Sequence, residues 1–168
     1  MSRKRGTVVA ILVVAVLVIS INVLPSAAQE PPPLPIAAEP LTSRAVFPDD
    51  VDLKFKIKLD GRATRVVNVE EPSTTVVVKY TVQPGAQFPW HSHAGPVVVT
   101  IVSGALTYID AETCTERTYT TGQAFVDPGQ GHVHSAINPT SSPMVFVATF
   151  FDAPAEGPLL IPAAPGDC

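Results

Sequence analysis

The chain contains four histidines, and they fall in two short pairs, His91-x-His93 and His132-x-His134. Side chains at i and i+2 of a β-strand point to the same face. Each pair therefore projects together wherever its backbone is extended. Two such strands facing one another would bring three or four imidazoles to one point. Neutral imidazole is the commonest protein ligand for zinc, iron, copper, nickel and manganese. A single His-x-His reads as readily as surface or satisfied core histidines. Two pairs that exhaust the supply point more strongly to a metal.

The elements that must position these pairs read as strands. The stretch VDLKFKIKLDG alternates, with Val51, Leu53, Phe55, Ile57 and Leu59 on one face and Asp52, Lys54, Lys56 and Lys58 on the other. The lysine row suits an outer or protected edge strand. Asp60-Gly61 is a tight-turn signal. TRVVNV, TTVVVKYTV, PVVVTIVSG, ALTYID, ERTYTTG, QAFVDPG, HVHSAIN and MVFVATFF follow. Each is short, rich in β-branched or aromatic residues, and mostly bounded by Gly, Pro, Asn or Asp. After residue 28 no segment sustains a helical apolar period. The expectation is an all-β sandwich or barrel. Phe88, Phe125, Met144, Phe146 and Phe150 are candidate core residues. Trp90, adjacent to His91, points to the opposite face and suits core packing or a loop contact. Asn138 suits a turn cap before Pro139.

The N-terminus is different in kind. Arg3, Lys4 and Arg5 precede an uncharged, almost wholly apolar run over residues 7–24, and small residues at Ser26-Ala27-Ala28 follow. This reads as an export signal over residues 1–28, cleaved after Ala28 or retained as a membrane anchor. Residues 29–48 are proline-dense and read as a semi-rigid spacer, with the globular domain over residues 49–168. The protein is then secreted or held on the outer side of the cytoplasmic membrane, touching the membrane only through an uncleaved N-terminal segment. The chain has two cysteines, Cys114 and Cys168, and an oxidising compartment favours joining them. Charged residues are 15% of the chain and the net charge is −4, so there is no basic face for nucleic acid.

The motifs around the histidines resemble those of the cupin superfamily. The first is Gly85, five residues, His91-x-His93, three residues, Val97, six residues and Gly104, spanning 85–104. The second is Gly122, five residues, Pro128, then Gly131, two residues, His134, three residues and Asn138, spanning 122–138. The resemblance covers roughly residues 64–151. It implies a single cupin β-barrel, a jelly-roll-like double-stranded β-helix, holding one divalent transition ion (Fe, Mn, Zn, Ni or Cu) on His91, His93 and His134. There are two departures. Val97 stands where the family usually places a glutamate ligand, and one extra residue separates Pro128 from Gly131.

Three neutral imidazoles would leave a divalent ion its full charge, which favours an anionic ligand. His132 is open to three readings: a fourth ligand in place of the missing glutamate, a pocket-lining group, or an exposed side chain. The reading carried forward places it near the metal without making it an obligatory ligand. The carboxylates nearest in sequence, Asp110 and Asp127, read as turn residues, so no general base is evident. That counts against hydrolase and isomerase chemistry and leaves oxygen chemistry, which a metal itself performs. The expected function is an oxygenase-type metalloenzyme, or an isomerase, acting on a small organic molecule. The alternatives are a non-catalytic small-ligand binder or sensor at the cell envelope and a structural barrel with a vestigial site. A homodimer stays open, although the lysine row gives no sign of a sticky edge.

Overall fold

The computed structural model describes residues 34–58 and 63–165. The export segment, the Asp60-Gly61 turn and Cys168 lie outside the described residues. Those described form twelve strands and no helix: β1 (Ile36–Pro40), β2 (Asp52–Ile57), β3 (Arg65–Glu70), β4 (Thr75–Val82), β5 (Gln87–Ser92), β6 (Val97–Ser103), β7 (Ala105–Asp110), β8 (Glu116–Thr120), β9 (Ala124–Asp127), β10 (His134–Ile137), β11 (Met144–Phe151) and β12 (Ile161–Pro162). Two five-stranded sheets, ordered β1-β4-β11-β6-β9 and β12-β5-β10-β7-β8, form a β-sandwich. The hairpin β2-β3 makes a separate two-stranded sheet, joined to the sandwich by Phe55 against Phe151 at 5.4 Å between ring centroids.

Period-two patterning builds the core. Val76, Val78, Tyr80 and Val82 of β4 and Met144, Phe146, Ala148 and Phe150 of β11 are all buried, while their neighbours along each strand are only half-buried. Tyr80 stacks on Phe146 with centroids 4.9 Å apart, and Phe88 of the facing sheet meets both rings. Burying each such ring contributes about 1.5–3 kcal/mol. Four of the five candidate core residues are fully buried. Phe125 is half-buried and packs against the core cluster from outside. Trp90 is half-buried on β5, and its carbonyl accepts a hydrogen bond from Ala163 N. Asn138 caps its turn as its sequence position suggests: Oδ1 accepts from Thr140 N, and Nδ2 donates to Val82 O and Ser142 O.

The proline-rich stretch departs from a spacer. Residues 36–40 form β1, paired in register with β4 from Ile36↔Val82 to Pro40↔Val78, and Lys79 of β4 pairs with Glu39. The strand sits at a sheet edge, where a missing proline N–H costs no ladder hydrogen bond. The sheet thus begins well before Asp49.

Two loops hold the histidine strands together. The loop after His93 and the loop after β9 meet backbone to backbone at Gly95 and Gly129, and Gly129 has φ of +60°. A Cβ on Gly129 would overlap the carbonyl oxygen of Gly95. Gly129→Ala therefore combines a left-handed conformation with a backbone clash, and is expected to destabilise the protein by at least about 2 kcal/mol. Denaturant unfolding of the variant checks this; an unchanged midpoint would contradict the close approach.

Candidate metal centre

His91 lies near the end of β5 and His93 just beyond it, while His134 opens β10 directly opposite His91 in register. Ring centroids are 4.9 Å apart for His91–His93, 4.3 Å for His91–His134 and 5.2 Å for His93–His134. One nitrogen from each ring falls within 4.8 Å of the others, and all three side chains are buried. The i, i+2 spacing thus brings His91 and His93 together, and strand pairing adds His134.

Backbone carbonyls fix two of the tautomers. His91 Nδ1 lies 2.7 Å from Pro89 O, and His93 Nδ1 lies 2.8 Å from Leu159 O. A carbonyl only accepts, so each Nδ1 carries the proton and each Nε2 keeps its lone pair. This orientation by a partner on the other ring nitrogen is typical of metal-binding histidines. Burial holds His91 down at about 4, His134 at about 3, and His93 also below the ordinary imidazole value. All three are neutral, and so able to ligate, at neutral pH.

His134 differs from the other two. Its Nδ1 is buried, lies 3.1 Å from Asp127 Oδ2, and has no hydrogen bond. The oxygen lies close but off the N–H direction, so the contact is electrostatic. Asp127 itself is 1% exposed. Its Oδ1 accepts from Gly129 N at 2.8 Å, and its Oδ2 accepts from the Tyr108 hydroxyl at 2.6 Å. Asp127 and Asp110, read from sequence as turn residues, in fact end strands β9 and β7 and are buried.

His132 stands outside the trio of imidazoles, half-buried in the turn before β10. Its Nδ1 lies 3.1 Å from Tyr108 Oη and 3.2 Å from Asp127 Oδ2, and its Nε2 lies 3.3 Å from Asp110 Oδ2. Burial alone would lower its pKa. The hydrogen bond and charge of Asp127, helped by Asp110, outweigh burial and raise it. Burial would raise Asp127 in turn, but His132, His134, His93 and Tyr108 together hold its carboxyl well below the carboxylate range. The contact thus favours the charged form of His132 beside the carboxylate. Asp127, His132 and His134 form a second donor group that shares His134 with the first.

Two cavities flank this layer. The inner one, about 40 Å³, is bounded by the three histidines and by apolar walls that include Phe88, Leu106, Phe146, Phe150 and Leu160. That is room for an ion and a few water-sized groups. The outer one, about 230 Å³, is lined by Arg65, Tyr108, Asp110, Glu112 and His132 among others. Sequence reasoning missed Asp127, Tyr108 and the Leu159 carbonyl. Asp127 lies next to Pro128 of the second motif, but no local signal placed it beside His134.

The donor set fits a borderline divalent transition ion: neutral imidazoles, two with the second nitrogen already bonded, converge on a small cavity. Residues 78–150 match the Cupin domain family, so this stretch is a cupin domain, and the fold and site agree with that match. No curated protein matches the sequence. Among solved structures, the polyketide cyclase RemF from Streptomyces resistomycificus is similar at 19% identity and TM-score 0.46, over 54% of this chain and 61% of that one. A cupin superfamily protein from Desulfitobacterium hafniense is similar at 8% identity and TM-score 0.41, over 60% and 77%. An oxalate oxidase is similar at 19% identity and TM-score 0.43, over 50% and 45%.

The buried imidazoles set a pH dependence in the metal-free protein. His91, His93 and His134 have folded values below the usual 6.5, so the unfolded chain binds more protons as the pH falls. Their contribution to stability is full above about 6.5 and is lost as pH drops toward the folded values. His132 acts oppositely, contributing below 6.5 and fading as pH rises through its raised value. Three groups against one set the net sign. The urea midpoint of chelator-treated protein should fall between about pH 7 and pH 4; a flat or rising profile would contradict the buried neutral trio.

Proposed function

We propose that this is an exported, metal-dependent cupin that acts on a small organic molecule, with His91, His93 and His134 as ligands. The observation that carries the reading is the convergence of three buried imidazoles on one small cavity. Bound there, a divalent ion would supply Lewis acidity and, for iron, manganese or copper, electron exchange.

The lining favours oxygenase-type chemistry over isomerisation. Apart from the histidines, the polar group on the inner wall is the Tyr80 hydroxyl, held protonated by burial up to about 12. Neither a carboxylate nor an amine lines this cavity to take a substrate proton, and chemistry run by the metal needs none. The chain's own residues orient the ion, exclude water through the apolar wall, and admit only the reacting end of a substrate. The cavity's small volume also favours a second reading, a non-catalytic site for a small ligand.

His91→Ala, His93→Ala and His134→Ala should each strip most of the bound ion and leave the sandwich folded. Elemental analysis of untagged protein checks this, and wild type holding under about a tenth of an equivalent after reconstitution would refute the metal reading. The export reading rests on residues 1–28 and adds a bridge between Cys114 and Cys168. Non-reducing mass analysis of secreted protein should find these two joined, and reduction should lower stability by roughly 2–4 kcal/mol. Two thiols open to alkylation would refute the bridge.

A further inference from the structure

The first cupin-like motif lacks its acid at Val97, yet a buried acid lies on the same rung of the ladder. In the antiparallel pair β6–β9, Val97 is the direct register partner of Asp127. Directly opposed residues send their side chains to the same face of a sheet. Both side chains are buried, at 2% and 1% exposure, so both point into the sandwich.

We propose that Asp127 supplies the carboxylate of the metal centre, reaching from the sheet opposite the histidines and acting on the ion through Nδ1 of His134. The inference rests on the three-histidine reading above. His91 and His93 each have a carbonyl on Nδ1, whereas Nδ1 of His134 has Asp127 Oδ2 at 3.1 Å and no hydrogen bond. A small rotation of His134 as Nε2 takes up an ion would align that contact. The carboxylate cannot swing far, because Gly129 N and the Tyr108 hydroxyl hold its two oxygens. Its charge lies against the His134 ring, and an anion there favours a cation bound to that ring. In its ionised form it offsets part of the ion's charge, less than a directly bound glutamate would, because His132 shares it. Asp127 is thus a positioning and charge-compensating residue, and the site is less avid for anions than a bare three-histidine centre.

The test is cobalt(II) affinity by chelator competition, with the visible cobalt spectrum as a second readout. Asp127→Asn should weaken cobalt binding by about 10- to 100-fold. It should also tighten azide binding to the cobalt-loaded protein. Val97→Glu placed on Asp127→Asn should restore much of the lost cobalt affinity, because it returns a carboxylate to the same rung. The rescue counts only if Val97→Glu adds less cobalt affinity to wild type than to Asp127→Asn, because a purely structural tie made by Asp127 to Tyr108 and Gly129 would leave the two gains equal. If Asp127→Asn fails to fold, the structure of zinc-loaded wild type decides: an aligned Asp127–His134 hydrogen bond supports the proposal, and a carboxylate turned away overturns it. Folded Asp127→Asn with wild-type cobalt affinity, or no rescue in the double variant, also overturns it. Wild type that binds no cobalt overturns the three-histidine reading and this inference with it, so the two failures are distinguishable.

Discussion

A single buried carboxylate, Asp127, ties the structure together. It ends the outermost strand of one sheet and takes its bonds from the other sheet and from the loop between them: Tyr108 from β7, Gly129 from the turn, and His132 just before β10. An ionised carboxylate this deep would be very costly alone, so its partners are obligatory. Satisfying it fixes where the second motif crosses between sheets, and that crossing delivers His134 opposite His91. The Gly95–Gly129 contact then locks the two motif loops against each other.

The same carboxylate divides the four histidines into two chemical kinds. His132, bonded to Asp127 on one side and facing Asp110 on the other, is raised toward the cationic form. His91, His93 and His134, in apolar surroundings, are held neutral. Side chains of one type thus serve two ends, charge pairing and lone-pair donation, and the difference comes from their neighbours.

Much of this was legible in the sequence. Alternation marked nearly every strand, because each sheet has one buried face and a period-two pattern is its direct imprint. The histidine trio was legible because two of its members share a strand face and the third sits in a recognisable second motif. Asp127 was not, because its proximity to His134 depends on which strands pair, and in which register, between elements distant in sequence. The Val97↔Asp127 rung is a fact of topology that no local pattern records. The proline-rich stretch misled for a related reason. Proline density argues against helix and central strand, but Ile36–Pro40 lies on an edge, where the rule relaxes. For His132, spacing alone suggested that it would share a face with His134; it does lie beside that ring, but it turns to Asp127 and Asp110 and stays outside the trio.

The hydrogen bond from His93 to Leu159 spans 66 residues, and β12 closes over β5 at Ile161↔Ser92 and Pro162↔His91. A chain threaded through a narrow channel from its N-terminus presents His91 and His93 long before Leu159 arrives. Until it does, the ring of His93 is free to turn and either nitrogen can be protonated. The bend just before β12 therefore finishes the tautomer of a residue laid down far earlier. A correctly set trio belongs to the fully delivered chain, and a nascent one offers its imidazoles unsorted.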